Sequence, residues 1–245
     1  MAELEGLADM AVRAITFDFW MTLFEEHNRA ERHQVRVDEF CEATGADPVA
    51  ADTAIQKAHA EFFRVHATEQ RTLAPADAVR MACDALEISM APATFQKLAE
   101  VFGTAIFAYP PVPIPGALDA VRAAAEQLPI GIISDSGMSP GSSLRRLLDD
   151  NGFTPHFTTL TFSDEVGVAK PQAPMFERTA KALNVAPHEL LHLGDLEPTD
   201  IKGVQALGGM AGLFAGANNR FAKDTRAEHT FYHWHEFVDA LPGLL

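Results

Sequence analysis

Apolar residues in this chain form short unbroken runs, separated by longer stretches in which they recur every three or four positions. The first run, Ala14-Ile15-Thr16-Phe17, is strand-like and ends in Asp18, with Thr22 four residues further on. Beyond Phe24 the texture changes. No glycine occurs between Gly45 and Gly103, and the stretch is rich in the good helix formers Ala, Glu, Gln, Lys and Arg. Asp47-Pro48, Ala74-Pro75 and Ala91-Pro92 place proline where helices begin. These stops predict helices over 28–44, 48–66, 75–88 and 92–108. The run Tyr109-Pro110-Pro111-Val112-Pro113-Ile114-Pro115-Gly116 can neither continue a helix nor enter a central strand, and it reads as a return hinge. After it the pattern alternates. Helices are expected at 116–127, 140–150, 173–183 and 200–207, with strands at 129–134, 157–162, 190–194, 210–215 and near 229–232 before a short closing helix. Short apolar strands alternating with helices predict an α/β fold with a parallel sheet. That fold is assembled from 1–26 and 112–245, with an all-helical insertion at 27–111.

Bulk composition narrows the partners more than the fold. With 47% hydrophobic and 22% charged residues in 245, the chain has material for a sizeable core. Its formal charge of −15 excludes nucleic acid and anionic membrane surfaces as natural partners, because both repel an acidic surface. A small anionic substrate would need a local positive site. Cys41 and Cys83 are the only cysteines, and they form no framework. Met1-Ala2-Glu3-Leu4-Glu5-Gly6 lacks the basic flank and apolar run of a signal peptide, and no stretch of about eighteen apolar residues exists. A cytoplasmic protein is expected. Nothing in the pattern specifies an oligomeric state.

The candidate chemistry begins at Asp18. In open α/β sheets ligands bind outside the carboxyl ends of the strands, so a carboxylate emerging there faces a site and is a candidate nucleophile. The run Phe17-Asp18-Phe19-Trp20-Met21-Thr22 resembles the first motif of the haloacid dehalogenase-like hydrolase superfamily, Asp-x-Asp-x-Thr, whose first Asp is transiently esterified. Later stretches resemble its other motifs in order. Ile132-Ile133-Ser134 is similar to the second, in which the hydroxyl of Ser134 donates to a phosphate oxygen. Lys170-Pro171 is similar to the third, in which the lysine offsets the charge of nucleophile and substrate. Gly194-Asp195 with Asp200 is similar to the fourth. The resemblance implies a Rossmann-like core with helices on both faces, a helical cap inserted between the first two motifs, and Mg²⁺ held by Asp18, the backbone carbonyl of Trp20, Asp195 and Asp200. An oxygen-rich set of this kind suits that ion. Asp195 is preferred as the direct ligand. Asp200 acts through water, orients Lys170, or is a plain helix N-cap. Thr22 is taken as substrate-binding.

Several features depart from the motif or lie outside it. Asp135 stands where the family usually has Asn, and is either a displaced proton carrier or, the preferred reading, a cap-facing surface residue. Pro140-Gly141-Ser142 opens a helix whose N-terminus favours an anion. Arg29, Arg32, His33 and Arg36 share a face of the first cap helix. Arg29 and Arg32 are candidates for holding a substrate carboxylate or second phosphate, against the alternative of a solvated helix face. His229, His233 and His235 lack a carboxylate or cysteine at zinc-site spacing.

Trp20 occupies the place of the second Asp, the family's proton carrier. A carbonyl ligand survives that replacement, but an indole is a donor only and cannot shuttle protons. Three readings follow. One is a phosphohydrolase of a small phosphorylated metabolite, slowed at the proton-transfer steps, with Glu25, Glu26 and His27 as substitute carriers. The second is a haloacid dehalogenase, whose leaving halide needs no proton and whose family branch also has an aromatic residue here. The third is a binding protein that has lost its chemistry.

Overall fold

The computed structural model describes residues 11–245, so the acidic stretch 1–6 lies outside the described residues. The chain begins with strand β1 (Ala14–Phe17) and a turn into β2 (Phe24–Glu25). Four helices follow: α1 (Arg29–Thr44), α2 (Pro48–Glu69), α3 (Pro75–Ala85) and α4 (Pro92–Thr104). The chain returns through β3 (Val112–Pro113), then alternates through α5 (Ala117–Gln127), β4 (Ile130–Ser134), α6 (Gly141–Asp150), β5 (Thr159–Phe162), α7 (Ser163–Val166) and α8 (Ala173–Leu183). It finishes with β6 (Leu190–Gly194), a π-helical turn at Glu197–Ile201, α9 (Lys202–Gln205), β7 (Met210–Phe214), β8 (His229–Phe231) and α10 (Trp234–Ala240).

Among the described residues the main sheet has six strands in the order β5-β4-β1-β6-β7-β8, every pair parallel. β1 lies in the middle, with Phe17 level with Ile132 of β4 on one side and Leu193 of β6 on the other. The chain winds outward from β1 through β4 to β5, then crosses back to β6. The carboxyl ends of β1, β4 and β6 therefore meet at the switch in winding direction, where an open sheet forms a crevice.

Side-chain alternation along the strands builds a layer on each face. Ile15, Phe17, Ile130, Ile132, Leu191 and Leu193 pack with α5, α6 and α10. Ala14, Ile133, Leu190, Ala211 and Leu213 pack with α8 and α9. Phe17 is fully buried, and its ring sits 5.8 Å from that of Trp234 and 6.0 Å from that of Phe237. The four inserted helices bury a cluster of their own, including Val37, Phe40, Ile55, Val79, Leu98 and Phe102. Asp47 caps α2 by accepting from Val49 N and Ala50 N at 3.1 and 3.0 Å.

The differences from the sequence-based expectation have local causes. The proline-rich return pairs as a two-residue antiparallel ladder, Phe24 with Pro113 and Glu25 with Val112. A strand that short at an edge tolerates proline's missing donor. The second inserted helix runs to Glu69, beyond the expected 66, and stops where Gln70 takes left-handed backbone (φ 50°). The expected helix over 200–207 is split by the π-helical turn that carries Asp200. Among the described residues no helix is long and apolar enough to cross a membrane.

Truncating the ring at the centre of β1 should cost as much as any single change. Phe17→Ala is expected to lower unfolding stability by about 3–5 kcal/mol, measured by urea denaturation, since it removes a fully buried ring from a close-packed face.

Candidate active site

Three strand ends deliver the reactive groups. Asp18 follows β1, Ser134 closes β4, and Asp195 follows β6. Lys170 reaches them from the loop before α8. Its Nζ donates to Asp18 Oδ1 at 2.7 Å, to Asp200 Oδ1 at 2.5 Å and to the Ile133 carbonyl at 3.1 Å. All three ammonium donors are thus used, and the side chain is held rather than merely near. Asp18, Lys170, Asp195 and Asp200 are all buried.

Asp200 is held as tightly as the lysine. Oδ1 also faces His192 Nε2 at 3.1 Å, and Oδ2 accepts from Leu196 N at 3.0 Å. Because an ionised carboxylate only accepts, His192 carries its proton on Nε2, and its Nδ1 accepts from the Thr16 hydroxyl at 2.9 Å. Asp200 sits inside the π-helical turn and is not a helix N-cap. Of the roles expected for it, the geometry gives it the orientation of Lys170. Its carboxylate also stands in the same oxygen cluster as those of Asp18 and Asp195. Gly194 is required beside it: a Cβ there would lie 2.2 Å from Asp200 Cγ.

The electrostatics follow from burial. Burial raises the Asp18 carboxyl to about 6, overcoming the lowering by Lys170, and the Asp200 charge adds to the rise. Burial, then Asp200 and Asp18, hold Asp195 well above its ordinary value, against one donor, Asn218 Nδ2 at 2.7 Å. Burial would also raise Asp200, but Lys170 and His192 keep it far below the usual range. Lys170 is opposed by burial and yet held above its ordinary value by Asp18, Asp200 and Asp135. Three buried carboxyls thus face a single buried ammonium. Oxygens of Asp18, Asp195 and Asp200 lie within 4.8 Å of one another. This hard, under-neutralised oxygen set fits a divalent cation, with Asp18 and Asp195 as side-chain ligands.

The remaining predicted residues are sorted by their contacts. Thr22 is fully buried beside the turn after β1, and its Oγ1 has no hydrogen-bond partner among the described residues. Ser134 is buried, and its hydroxyl makes only a long bond, 3.3 Å, to the Asp135 carbonyl. Trp20 is half-buried with its ring 5.0 Å from that of Phe19. Arg32 is corrected: it is buried, donates to the Tyr109 carbonyl at 3.0 Å and pairs with Glu26, so it ties the cap to the return hinge and is not free for substrate. Arg36 is buried likewise, donating to the Phe102 carbonyl at 3.0 Å. Only Arg29 stays exposed, over the Phe63 ring at 4.8 Å. It lines a cavity of about 700 Å³ with His33, His59 and Phe63.

Two other expectations also change. The N-terminus of α6 is already occupied by its own protein, because Gly141 N donates to Asp164 Oδ1 at 3.1 Å. Glu26 pairs with Arg32, and Glu25 pairs with the half-exposed His27 at 3.4 Å. Asp135 does face the cap, but it is no surface residue. Its side chain is 18% exposed, Oδ1 accepts from Lys170 N at 2.9 Å, and Oδ2 lies 3.5 Å from His66 Nε2 of α2. His66, His192 and Asn218 were missed. A histidine inside the apolar run Leu190–Gly194 is the one sequence signal among them; Asn218 and His66 have none.

A family profile described as haloacid dehalogenase-like hydrolase matches residues 12–208. The chain is a haloacid dehalogenase-like hydrolase. Over 110 residues, 44% of this chain and 47% of the relative, the hydrolase is 35% identical to pyrimidine 5'-nucleotidase YjjG of Escherichia coli strain K12. The match thus spans about half of that protein. Its fold is similar to that of a 2-haloacid dehalogenase from Pseudomonas syringae pv. Tomato DC3000, with a TM-score of 0.71 at 18% identity over 95% of this chain and 97% of the other. It is also similar to HAD-hydrolase YfnB from Bacillus subtilis in its magnesium-bound form, with a TM-score of 0.66 at 16% identity over 94% and 99%.

The raised carboxyls of this hydrolase predict a pH-dependent cost. For Asp18, ordinary value 3.8 and about 6 here, the unfolded chain loses its proton first, so its contribution to stability is lost as pH rises through that window. Asp195 acts in the same direction. In chelator, Asp195→Asn is therefore expected to melt above the wild type by a margin that widens as pH rises from 4 to 8. An added divalent cation should raise the melting temperature of the wild type and leave the variant unmoved; thermal unfolding across that range checks both.

Proposed function

We propose that this hydrolase is a Mg²⁺-dependent phosphohydrolase of a small phosphorylated metabolite, acting through an aspartyl phosphate on Asp18. The observation that carries the reading is the buried cluster of Asp18, Asp195 and Asp200 around Lys170, with Lys170 Nζ 2.7 Å from Asp18 Oδ1. A reaction with a free halide would gain nothing from gathering so much buried negative charge. A phosphoryl group brought in with a divalent cation would be balanced by it.

Asp18, Asp195 and the Trp20 carbonyl would hold Mg²⁺, which supplies Lewis-acid neutralisation of the phosphoryl oxygens when bound. Asp18 attacks phosphorus in line with the leaving oxygen. Lys170 keeps the nucleophile oriented and offsets charge on the equatorial oxygens, with Asp200 and His192 behind it. The hydroxyls of Thr22 and Ser134 are the neutral donors available to a phosphoryl oxygen. The likeness to YjjG puts nucleoside monophosphates first among the esters to try, and we place the enzyme in the cytoplasm.

Trp20 sets the expected kinetics. Loss of a positioned acid and base slows turnover by roughly 10²–10⁴. A haloacid dehalogenase is the second reading, supported by the aromatic residue at that position, since halide leaves unprotonated. Rapid mixing with nitrophenyl phosphate is expected to give a Mg²⁺-dependent burst near one nitrophenol per site, then slow turnover, with no burst in Asp18→Asn or in chelator. Trp20→Asp should speed the slow phase. Halide release from chloropropionate that persists in chelator, with no burst from the phosphate ester, would replace this reading with the second.

A further inference from the structure

The cap brings a titratable side chain to the mouth of the site that nothing above has used. His66 lies in the last turn of α2 with Nε2 3.5 Å from Asp135 Oδ2. Three contacts hold that end of the helix against the core. The Gln70 carbonyl accepts from Ala169 N at 2.8 Å and from Gln172 Nε2 at 2.9 Å, which ties α2 to the loop carrying Lys170. Thr72 Oγ1 donates to Ser163 Oγ at 2.6 Å, and the same oxygen accepts from Ser136 N at 2.9 Å. Phe62 lies against Gly137, where a Cβ would stand 3.5 Å from its ring. Asp135 is fixed from the other side by Lys170 N.

We propose that His66, paired with Asp135, is the general acid and base of the reaction and carries, more slowly than a carboxylate in the place of Trp20 would, the proton transfers that Trp20 cannot. The inference rests on the phosphohydrolase reading. In-line displacement puts the leaving oxygen opposite Asp18, away from the sheet and toward the cap, so an acid for that oxygen is best supplied from the cap side. The charged groups around the imidazole are Asp135 from the loop after β4, Lys170 from the loop before α8, Asp18 after β1 and Asp200 in the π-helical turn. Burial and then Lys170 lower the His66 ring below its ordinary value, while burial raises Asp135 to about 6. The two affinities are thereby drawn toward each other.

The steps balance on that proton. A carboxylate oxygen of Asp18 bonds to phosphorus as the bond to the leaving oxygen breaks. The electron pair stays on the leaving oxygen, which takes the proton of the His66–Asp135 pair. A water oxygen then bonds to phosphorus and gives its proton to the His66 imidazole. The bond from phosphorus to Asp18 breaks and returns its pair to the carboxylate. Alcohol and phosphate leave, and the pair has its proton again.

A leaving-group comparison separates this role from a structural one, because nitrophenolate departs without a proton and an alkoxide does not. In His66→Gln, and in Asp135→Asn to a lesser degree, the nitrophenol burst is expected to keep its rate and amplitude. The later turnover should slow, and hydrolysis of ethyl phosphate should fall by ~10² or more. Equal losses on both esters in the burst, or no loss on either, overturn the inference while a burst at Asp18 leaves the phosphohydrolase reading standing. Absence in the wild type of any Mg²⁺-dependent nitrophenol release, burst or steady, above that of Asp18→Asn overturns the phosphohydrolase reading itself, and this assignment falls with it.

Discussion

The structure depends on one buried ammonium. Lys170 is bonded at once to Asp18 after β1, to Asp200 in the turn after β6, and to the last carbonyl before Ser134 in β4. The strands that lead to those groups are also neighbours in the sheet. Without a cation at that point, the carboxyls of Asp18, Asp195 and Asp200 would face one another in a site from which water is largely excluded, where like charges repel strongly. The lysine relieves part of that repulsion and leaves the remainder, which is what makes the site receptive to a divalent cation.

A second tier keeps the lysine where it is. His192 and the Leu196 amide hold Asp200, the Thr16 hydroxyl donates to the other ring nitrogen of His192, and glycine at 194 leaves room for the Asp200 carboxylate. The arrangement separates two acids by environment. Asp200 stays ionised because donors surround it, whereas Asp18 and Asp195 are raised because burial outweighs their single strong partners. A carboxylate that is costly to ionise in the free protein gains most when a metal or a substrate's counter-charge arrives.

The cap contributes to the site by docking the end of α2 on the core. Gln70, Thr72 and Phe62 bring α2 onto the loops that follow β4 and precede α8, which are the loops that carry Asp135 and Lys170. Arg32 and Arg36 serve the same end: they are buried in contacts to the Tyr109 and Phe102 carbonyls that tie α1 to the hinge and to α4. A basic helix face that reads as a substrate clamp is thus largely internal structure. The exposed remainder, Arg29 over Phe63, lines the cavity beside it.

How much was legible in advance follows from the range of the interactions involved. The alternation of apolar runs and helical stretches, the prolines that open helices and the motifs around Asp18, Ser134, Lys170 and Asp195 are local in the chain, because backbone geometry and strand-end placement are local properties. They sufficed for the α/β class, the parallel sheet, the helical insertion and the placing of Asp18 at a strand end. What depends on contacts between distant segments was decided only in three dimensions. Asp200 reads as a metal ligand or cap by spacing, yet it serves Lys170 because His192 and Leu196 already satisfy it. Asp135 reads as surface until α2 closes over it, and His66 is an ordinary helix residue until its turn is pinned beside that carboxyl. The side chains can be named from one dimension; which donor meets which acceptor depends on how the chain between Asp18 and Lys170, 152 positions apart, is folded back upon itself.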